Sequence, residues 1–135
     1  MNNNEILNLC HLHPTAITIT AGWCGHCRTF KPEINDFQKK YNGNGAHVLR
    51  LTDEDDKEQI KHFAIDGYPT VVFFSHIRKE YYAYNGPRTS QGLKNFADRL
   101  TNDAITSNDR VWKKAPRYRL SSDIEKMESE ELSYT

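Results

Sequence analysis

The chain has 135 residues, enough for one domain with a single core, and its 18 basic and 18 acidic side chains give no net charge. A balanced surface offers no electrostatic reason to bind nucleic acid or an anionic membrane, so we expect neither as a partner. Hydrophobic residues make up 37% and the mean hydropathy is -0.79, which indicates that part of the chain lies outside the core.

From the printed residues we expect no targeting segment. Residues 1–5 lack a basic stretch, no apolar segment of signal-peptide length follows them, and the longest strongly apolar run is Val71–Phe74. The last three residues, 133–135, do not form an ER-retention signal. The sequence therefore predicts a cytoplasmic protein, in a compartment where paired cysteines are more often catalytic than structural.

The first part of the chain predicts a helix and then a strand. Residues 2–12 fit a short helix ended by Pro14, and Cys10 within it is expected to be a small buried side chain. Residues 16–21 have β-branched side chains at alternate positions, which predicts the first strand.

The motif Trp23-Cys24-Gly25-His26-Cys27 stands where this strand gives way to a helical pattern. Unpaired N–H groups and the macrodipole at a helix N-terminus favour negative charge, so we expect the Cys24 thiol to ionise readily. Cys27, one turn later, is placed to attack a mixed disulfide formed on Cys24. The spacing therefore predicts a redox centre that needs no cofactor beyond its own Cys24–Cys27 disulfide.

Half of a zinc site has the same cysteine spacing. Cys10, His11 and His13 would supply the missing ligands, so a structural zinc site stays open as an alternative. The apolar stripe after Cys27 favours a helix, whereas a zinc knuckle usually lies in a turn between short strands. We therefore favour the redox interpretation and expect no bound metal.

The remaining pattern alternates helices and strands. The predicted elements are a helix over 24–41 with Pro32 inside it, a strand over 47–52, a helix over 53–64, strands over 68–74 and 80–84, and a helix over 90–100. A helical crossover makes the first two strands parallel, and a short connection makes the last two antiparallel. The acidic residues 53–56 are predicted to cap the second of these helices, and Ser90 the last.

The core domain is predicted to cover residues 1–102, followed by a charged C-terminal tail over residues 103–135. This tail has a basic block and then an acidic block, and we expect it to be solvated, although opposite charges also allow it to fold back. Trp112 and Tyr118 within it either pack on the core or contact a partner.

Four motifs in order resemble a thioredoxin-superfamily domain, and within it the catalytic domain of a protein disulfide isomerase. They are Trp23-Cys24-Gly25-His26-Cys27, the helix proline Pro32, Gly67-Tyr68-Pro69-Thr70, and Tyr84-Asn85-Gly86-Pro87-Arg88-Thr89. The resemblance covers residues 16–101 and implies an α/β thioredoxin-like fold. Because the segment before the first strand is too short for the family's opening strand and helix, we expect a trimmed mixed sheet of about four strands flanked by helices.

The resemblance also implies roles for the motif residues. Cys24 would be the nucleophile and Cys27 the resolving thiol, with Gly25 and His26 between them. A protonated His26 imidazole would stabilise the Cys24 thiolate, which favours the reduced dithiol and makes the disulfide more oxidising. An oxidase or isomerase is therefore preferred over a reductase.

The resemblance also implies that further residues align the substrate. Pro69 is expected in cis, facing the cysteine pair, because an X-Pro bond is the one that tolerates cis cheaply. The backbone of Tyr68 would pair with a substrate strand beside Trp23. Arg88 matches a loop arginine that approaches the resolving cysteine and lowers its pKa.

Two positions depart from the family's pattern. The buried acid six residues before the first cysteine is Thr18 here, and threonine cannot accept a proton at neutral pH. Proton transfer at Cys27 should then depend on water, His26 or another carboxylate. Gly22 stands where the family usually has proline before Trp23.

The leading hypothesis is a monomeric thiol–disulfide oxidoreductase that acts on protein or peptide thiols and disulfides, with a redox partner protein. The alternatives are a thioredoxin-like reductase and a binding or adaptor module with weak turnover. In the adaptor, the surface around Trp23, Tyr68 and Pro69 would hold the partner.

Overall fold

A computed structural model describes residues 13–41, 47–61, 63 and 65–112. The strands are β1 (Thr15–Thr20), β2 (His47–Thr52), β3 (Thr70–Ser75) and β4 (Glu80–Ala83), and the helices are α1 (Gly25–Tyr41), α2 (Lys57–Ile60) and α3 (Ser90–Thr101). The helix predicted over residues 2–12, with Cys10, lies outside the described residues. Within the described ranges, no helix has the length and apolar character needed to cross a membrane.

The four strands form one mixed sheet in the order β2-β1-β3-β4. β1 pairs parallel with β2 and antiparallel with β3, and β3 pairs antiparallel with β4. This arrangement, flanked by helices, confirms the predicted thioredoxin-like fold class. The C-terminal ends of β1 and β2 meet at one edge of the sheet, and the active-site segment begins there.

Helices cover both faces of the sheet, so the inner strand β3 is buried from Val71 to Ser75 and its four middle residues are apolar. Successive side chains of a strand point to opposite faces. Val72 and Phe74 pack with α2 on one face, and Val71 and Phe73 pack with α1 and α3 on the other. The core therefore has two layers, one on each side of the sheet.

The second helix is much shorter than predicted. It spans Lys57–Ile60 instead of residues 53–64, and its N-cap residue Asp56 makes no side-chain capping bond. The Asp56 carboxylate instead accepts a hydrogen bond from the Thr52 backbone N–H at 2.9 Å. Ile60 and Phe63 are the buried anchors of this segment, and one short turn is enough to bury them.

The last helix begins as predicted, but its cap lies one residue earlier. Thr89 has extended backbone geometry, and its hydroxyl accepts from the Gly92 N–H at 3.0 Å. The Ser90 N–H instead donates to the Glu33 carboxylate at 2.9 Å, which ties α3 to α1. The prediction that Ser90 caps the helix was therefore wrong by one residue.

Part of the segment predicted as a tail packs along the domain. We call residues 104–112 the C-terminal strap. The Ala83 N–H donates to the Arg110 carbonyl at 2.9 Å, and the Trp112 N–H donates to the Tyr81 carbonyl at 2.7 Å. Trp112 packs against the core layer on the α2 side. Of the two alternatives for Trp112, the structure shows packing on the core; Tyr118 and the rest of the chain beyond residue 112 lie outside the described residues.

An ion pair anchors the strap to α3. The Arg99 guanidinium donates two hydrogen bonds to the Asp109 carboxylate, at 2.8 and 2.7 Å, and the Thr106 N–H donates a third at 2.8 Å. The Asp109 side chain is 8% exposed. These bonds, above all those from Arg99, hold the pKa of Asp109 below its usual value.

Candidate active site

The two motif cysteines lie at the start of α1, in a segment that we call the active-site loop (residues 21–27). Both are free thiols, and Cys24 is 7% and Cys27 4% exposed. The Cys24 N–H donates to the Ala21 carbonyl at 3.1 Å, and the Cys27 N–H donates to Cys24 Sγ at 3.3 Å. A helix-terminal N–H without an intrahelical partner thus points at the sulfur of Cys24.

The surroundings make the two thiols unequal in acidity. A hydrogen bond from the Cys27 side chain lowers the pKa of Cys24, and the backbone N–H groups of Cys27 and His26 and the charge of Arg28 add to this effect, against the opposing effect of burial. Burial, followed by the hydrogen bond to Cys24, raises the pKa of Cys27 to about 11. Cys24 is therefore the more acidic thiol, and Cys27 holds its proton.

The loop that carries Pro69 lies beside the cysteine pair, as the resemblance implies. The Tyr68–Pro69 peptide bond is cis, and the Cys24 thiol donates to the Tyr68 carbonyl at 3.6 Å. The Tyr68 ring packs edge-on against Trp23, with 5.4 Å between the ring centroids. Trp23 is 66% exposed, so its indole offers a surface next to the reactive sulfur.

The remaining predicted residues contribute in different ways. Gly25 is the exposed first residue of α1. His26 is exposed and its backbone N–H lowers the pKa of Cys24, while the role assigned to its imidazole stays a prediction. The charge of Arg88 lowers the pKa of Cys27, in the direction that the resemblance implies, but burial outweighs it.

Two carboxylates that follow β2 hold the active-site loop, whereas their sequence pattern predicts the start of a helix. Asp53 accepts from the Tyr68 hydroxyl at 3.0 Å and from the Trp23 indole N–H at 3.4 Å. Glu54 accepts from the Gly22 N–H at 2.6 Å. The predicted parallel pairing of the first two strands was the signal that could have found them, because residues that follow adjacent parallel strands lie together.

Glu54 gives a physical reason for Gly22 at the position where proline is usual. Proline has no N–H to donate, and a Cβ atom on Gly22 would lie 2.9 Å from a Glu54 carboxylate oxygen. The Arg28 guanidinium donates to the Gly22 carbonyl at 2.9 Å. Both polar groups of Gly22 are therefore held by side chains.

Thr18 lies in β1 with 1% of its surface exposed, and its hydroxyl donates to the Leu49 carbonyl at 3.4 Å. It offers no group that accepts a proton at neutral pH. Asp53 and Glu54 are carboxylates that the structure does bring against the active-site loop.

The described residues give no support to the alternative of a zinc site. They contain no group of three or more His, Cys, Asp or Glu side chains arranged to hold a metal ion. His13 lies just before β1 and contacts His47, with ring centroids 4.3 Å apart, whereas the cysteines follow the other end of that strand. Cys10 and His11 lie outside the described residues.

The sheet, the CxxC pair before a helix and the adjoining cis-proline loop define the class of thioredoxin-type domains. A family model described as Thioredoxin matches residues 3–99, which is more than half of the chain. The chain therefore belongs to the thioredoxin family.

Comparison with individual proteins indicates which members of the family the chain resembles. Protein disulfide-isomerase A2 of Mus musculus is 30% identical over 110 residues, which cover 77% of this chain and 21% of that protein. Protein disulfide isomerase-like 1-1 of Arabidopsis thaliana is 27% identical over 88 residues, covering 62% and 18%. The chain thus spans about a fifth of the length of these relatives. These similarities support membership of the thiol–disulfide oxidoreductase family.

A solved structure shows the same fold. The first thioredoxin domain of mouse Protein disulfide-isomerase A4 superposes with a TM-score of 0.64 at 22% sequence identity, covering 78% of this chain and 76% of that one.

Proposed function

We propose that the protein oxidises or isomerises disulfides in protein or peptide substrates through Cys24 and Cys27. The observation that carries this proposal is the unequal acidity of two adjoining thiols, with the pKa of Cys24 lowered and that of Cys27 raised to about 11. An acidic first thiol suits both attack on a substrate and departure from it.

In the oxidising direction, a substrate thiolate attacks Cys24 Sγ of the Cys24–Cys27 disulfide. A bond forms between the substrate sulfur and Cys24, the Cys24–Cys27 bond breaks, and Cys27 leaves as a thiolate and takes up a proton. A second substrate thiolate then attacks the first substrate sulfur and releases Cys24 as a thiolate. Two electrons pass from the substrate to the protein, and a redox partner protein would restore the disulfide by accepting them.

Isomerisation uses the same first thiol without net electron transfer. The Cys24 thiolate attacks a substrate disulfide, forms a mixed disulfide and releases one substrate thiolate. That thiolate attacks a second substrate disulfide and releases another thiolate, which attacks the substrate sulfur bonded to Cys24 and expels Cys24 as a thiolate. The Tyr68 carbonyl, 3.6 Å from Cys24 Sγ, belongs to the backbone that would align the substrate strand.

The direction of electron flow depends on how strongly the reduced form is stabilised. The groups that lower the pKa of Cys24 stabilise the dithiol state and so favour oxidation of the substrate. The cytoplasmic location predicted from the sequence favours reduction instead. Equilibration with glutathione decides between them: a potential near those of disulfide isomerases, about −180 mV, supports the proposal, and one near about −270 mV supports a reductase.

Refolding of scrambled ribonuclease, measured with Cys24→Ser and Cys27→Ser, tests the roles of the two thiols. Cys24→Ser should reduce activity to background, whereas Cys27→Ser should still attack the substrate and accumulate a mixed disulfide. Undiminished activity of Cys24→Ser would overturn the mechanism. Capture of substrate by the unaltered protein without turnover would support the adaptor alternative, which Thr18 favours because it supplies no proton acceptor.

A further inference from the structure

A pocket of about 290 Å³ lies beside the cis-proline loop. Its lining includes Phe30, Asp66, Pro69, Tyr84, Arg88 and Trp112. Pockets for small molecules usually measure about 300–1,000 Å³, so this one is at the lower limit and suits a single large side chain better than a cofactor.

The C-terminal strap supplies one wall of this pocket. Backbone hydrogen bonds to β4 place Trp112, and the ion pair between Arg99 and Asp109 anchors the strap to α3. The match to the family ends at residue 99, so Trp112 lies beyond the part of the chain that the family model covers.

The pocket is adjacent to the reactive sulfur through the backbone. Tyr68 accepts a hydrogen bond from the Cys24 thiol, and the next residue, Pro69, lines the pocket. The wall of the pocket therefore begins one residue after the carbonyl that contacts Cys24.

The lining indicates which side chain would enter. The aromatic residues Phe30, Tyr84 and Trp112 line the pocket together with Pro69 and Val71, and Thr70 and Asn85 add polar groups to the lining. Aromatic rings gain from edge-to-face or offset contacts with one another beyond the burial of their surface. The exposed Arg88 and Asp66 carry opposite charges, so neither sign of ligand charge is favoured.

We propose that this pocket, completed by Trp112, binds an aromatic side chain next to the reactive cysteine of a polypeptide substrate. The inference rests on the proposed function, because it assigns a preference to the same reaction. Trp112 acts here as a specificity residue and takes no part in the exchange of electrons.

The test compares two homodimeric peptide disulfides that differ in one residue, phenylalanine or alanine next to the cysteine. The reduced protein should cleave the phenylalanine peptide with a kcat/KM about tenfold higher, and Trp112→Ala should reduce this preference below about twofold. Val111→Ala is the matched control, since Val111 is a strap residue with 41% exposure outside the pocket lining. An unchanged preference in Trp112→Ala would overturn the proposal.

A small disulfide such as hydroxyethyl disulfide separates this inference from the proposed function. It carries no aromatic side chain to enter the pocket, so the unaltered protein, Trp112→Ala and Val111→Ala should reduce it at equal rates. If the unaltered protein failed to react with it, the proposed redox function itself would be wrong.

A second measurement keeps Trp112 in place, in case Trp112→Ala does not fold. The chain has two tryptophans, so Trp23→Phe leaves Trp112 as the single indole fluorophore. With Cys27→Ser added, each peptide can be trapped on Cys24 as a mixed disulfide. The phenylalanine peptide should change the Trp112 emission more than the alanine peptide does, and identical spectra for the two complexes would contradict the proposal.

Discussion

The active-site loop and the C-terminal strap both border the candidate site, but they are held in different ways. Side chains hold the loop: Glu54 and Arg28 bind the two polar groups of Gly22, at 2.6 and 2.9 Å. The strap is held by backbone pairing with β4 and by the ion pair of Arg99 with Asp109. The comparison indicates that the chemistry depends on a locally fixed loop, whereas substrate preference depends on an attachment that can be weakened separately.

The largest effect on stability is expected from breaking the strap's anchor. Asp109→Asn removes the charge that accepts two hydrogen bonds from Arg99 and two from Thr106. Hydrogen bonds to charged groups contribute about 1.5–3 kcal/mol to stability, and the partial exposure of Arg99 lowers this contribution. We therefore expect the free energy of unfolding to fall by about 2 kcal/mol. Urea unfolding measures it, and reactivity of Cys24 towards a small disulfide should not change.

Asp103→Asn provides the matched control for the strap. Asp103 pairs with Arg78 at 2.7 Å, but both side chains are about 40% exposed, so the loss should stay below about 0.5 kcal/mol. Equal losses in the two variants would contradict a special role for Asp109.

The pH dependence of the anchor follows from the lowered pKa of Asp109. Because the folded state favours the carboxylate, the stabilisation is complete above the unfolded pKa of about 3.9 and is lost as the pH falls through the folded value. In Asp109→Asn, the free energy of unfolding should therefore fall less steeply as the pH decreases below about 3.9.

A smaller effect is expected in the active-site loop. Glu54→Ala and Gly22→Pro each remove the same hydrogen bond, so each should cost about 1 kcal/mol and the double variant no more than the worse single one. Asp55→Ala, at an exposed neighbouring carboxylate, is the control. Additive losses in urea unfolding would show that the contact between Glu54 and Gly22 does not stabilise the loop.

The smallest effect concerns a histidine that touches neither segment. Burial and the neighbouring His13 lower the pKa of His47, so the folded state disfavours its protonated form. Its contribution to stability is therefore complete above the unfolded pKa of about 6.5 and is lost as the pH falls below it. His47→Gln should make the urea concentration at the unfolding midpoint depend less on pH between about pH 5 and 7. An unchanged pH dependence would contradict this assignment.

The parts of the site that were predictable are local in sequence. The CxxC motif before a helix and the Tyr68–Pro69 turn can be recognised from a few adjacent residues, and the structure brings them together as the resemblance implies. The roles of Asp53 and Glu54 were missed because they depend on contacts with residues about thirty positions earlier. Their charges also fit a helix start, which is the commoner use of such a run.

The strap was missed for a different reason. Its attachment to β4 uses backbone N–H and carbonyl groups, which every residue carries and which leave no pattern in the side chains. The second helix was predicted too long because Asp56 bonds back to Thr52 instead of forward into the helix. The strap is thus a tertiary contact without a side-chain pattern, and the short helix reflects a local bond between residues four positions apart.

The central claim is that Cys24 is an acidic thiol beside a Cys27 that keeps its proton. The most direct test is alkylation of the reduced protein across pH, with the two cysteines distinguished by mass spectrometry. Cys24 should react with a midpoint below the value of about 8.5 for free cysteine, and Cys27 should stay protected until much higher pH. A Cys24 midpoint at or above about 8.5, or earlier reaction of Cys27, would contradict the account.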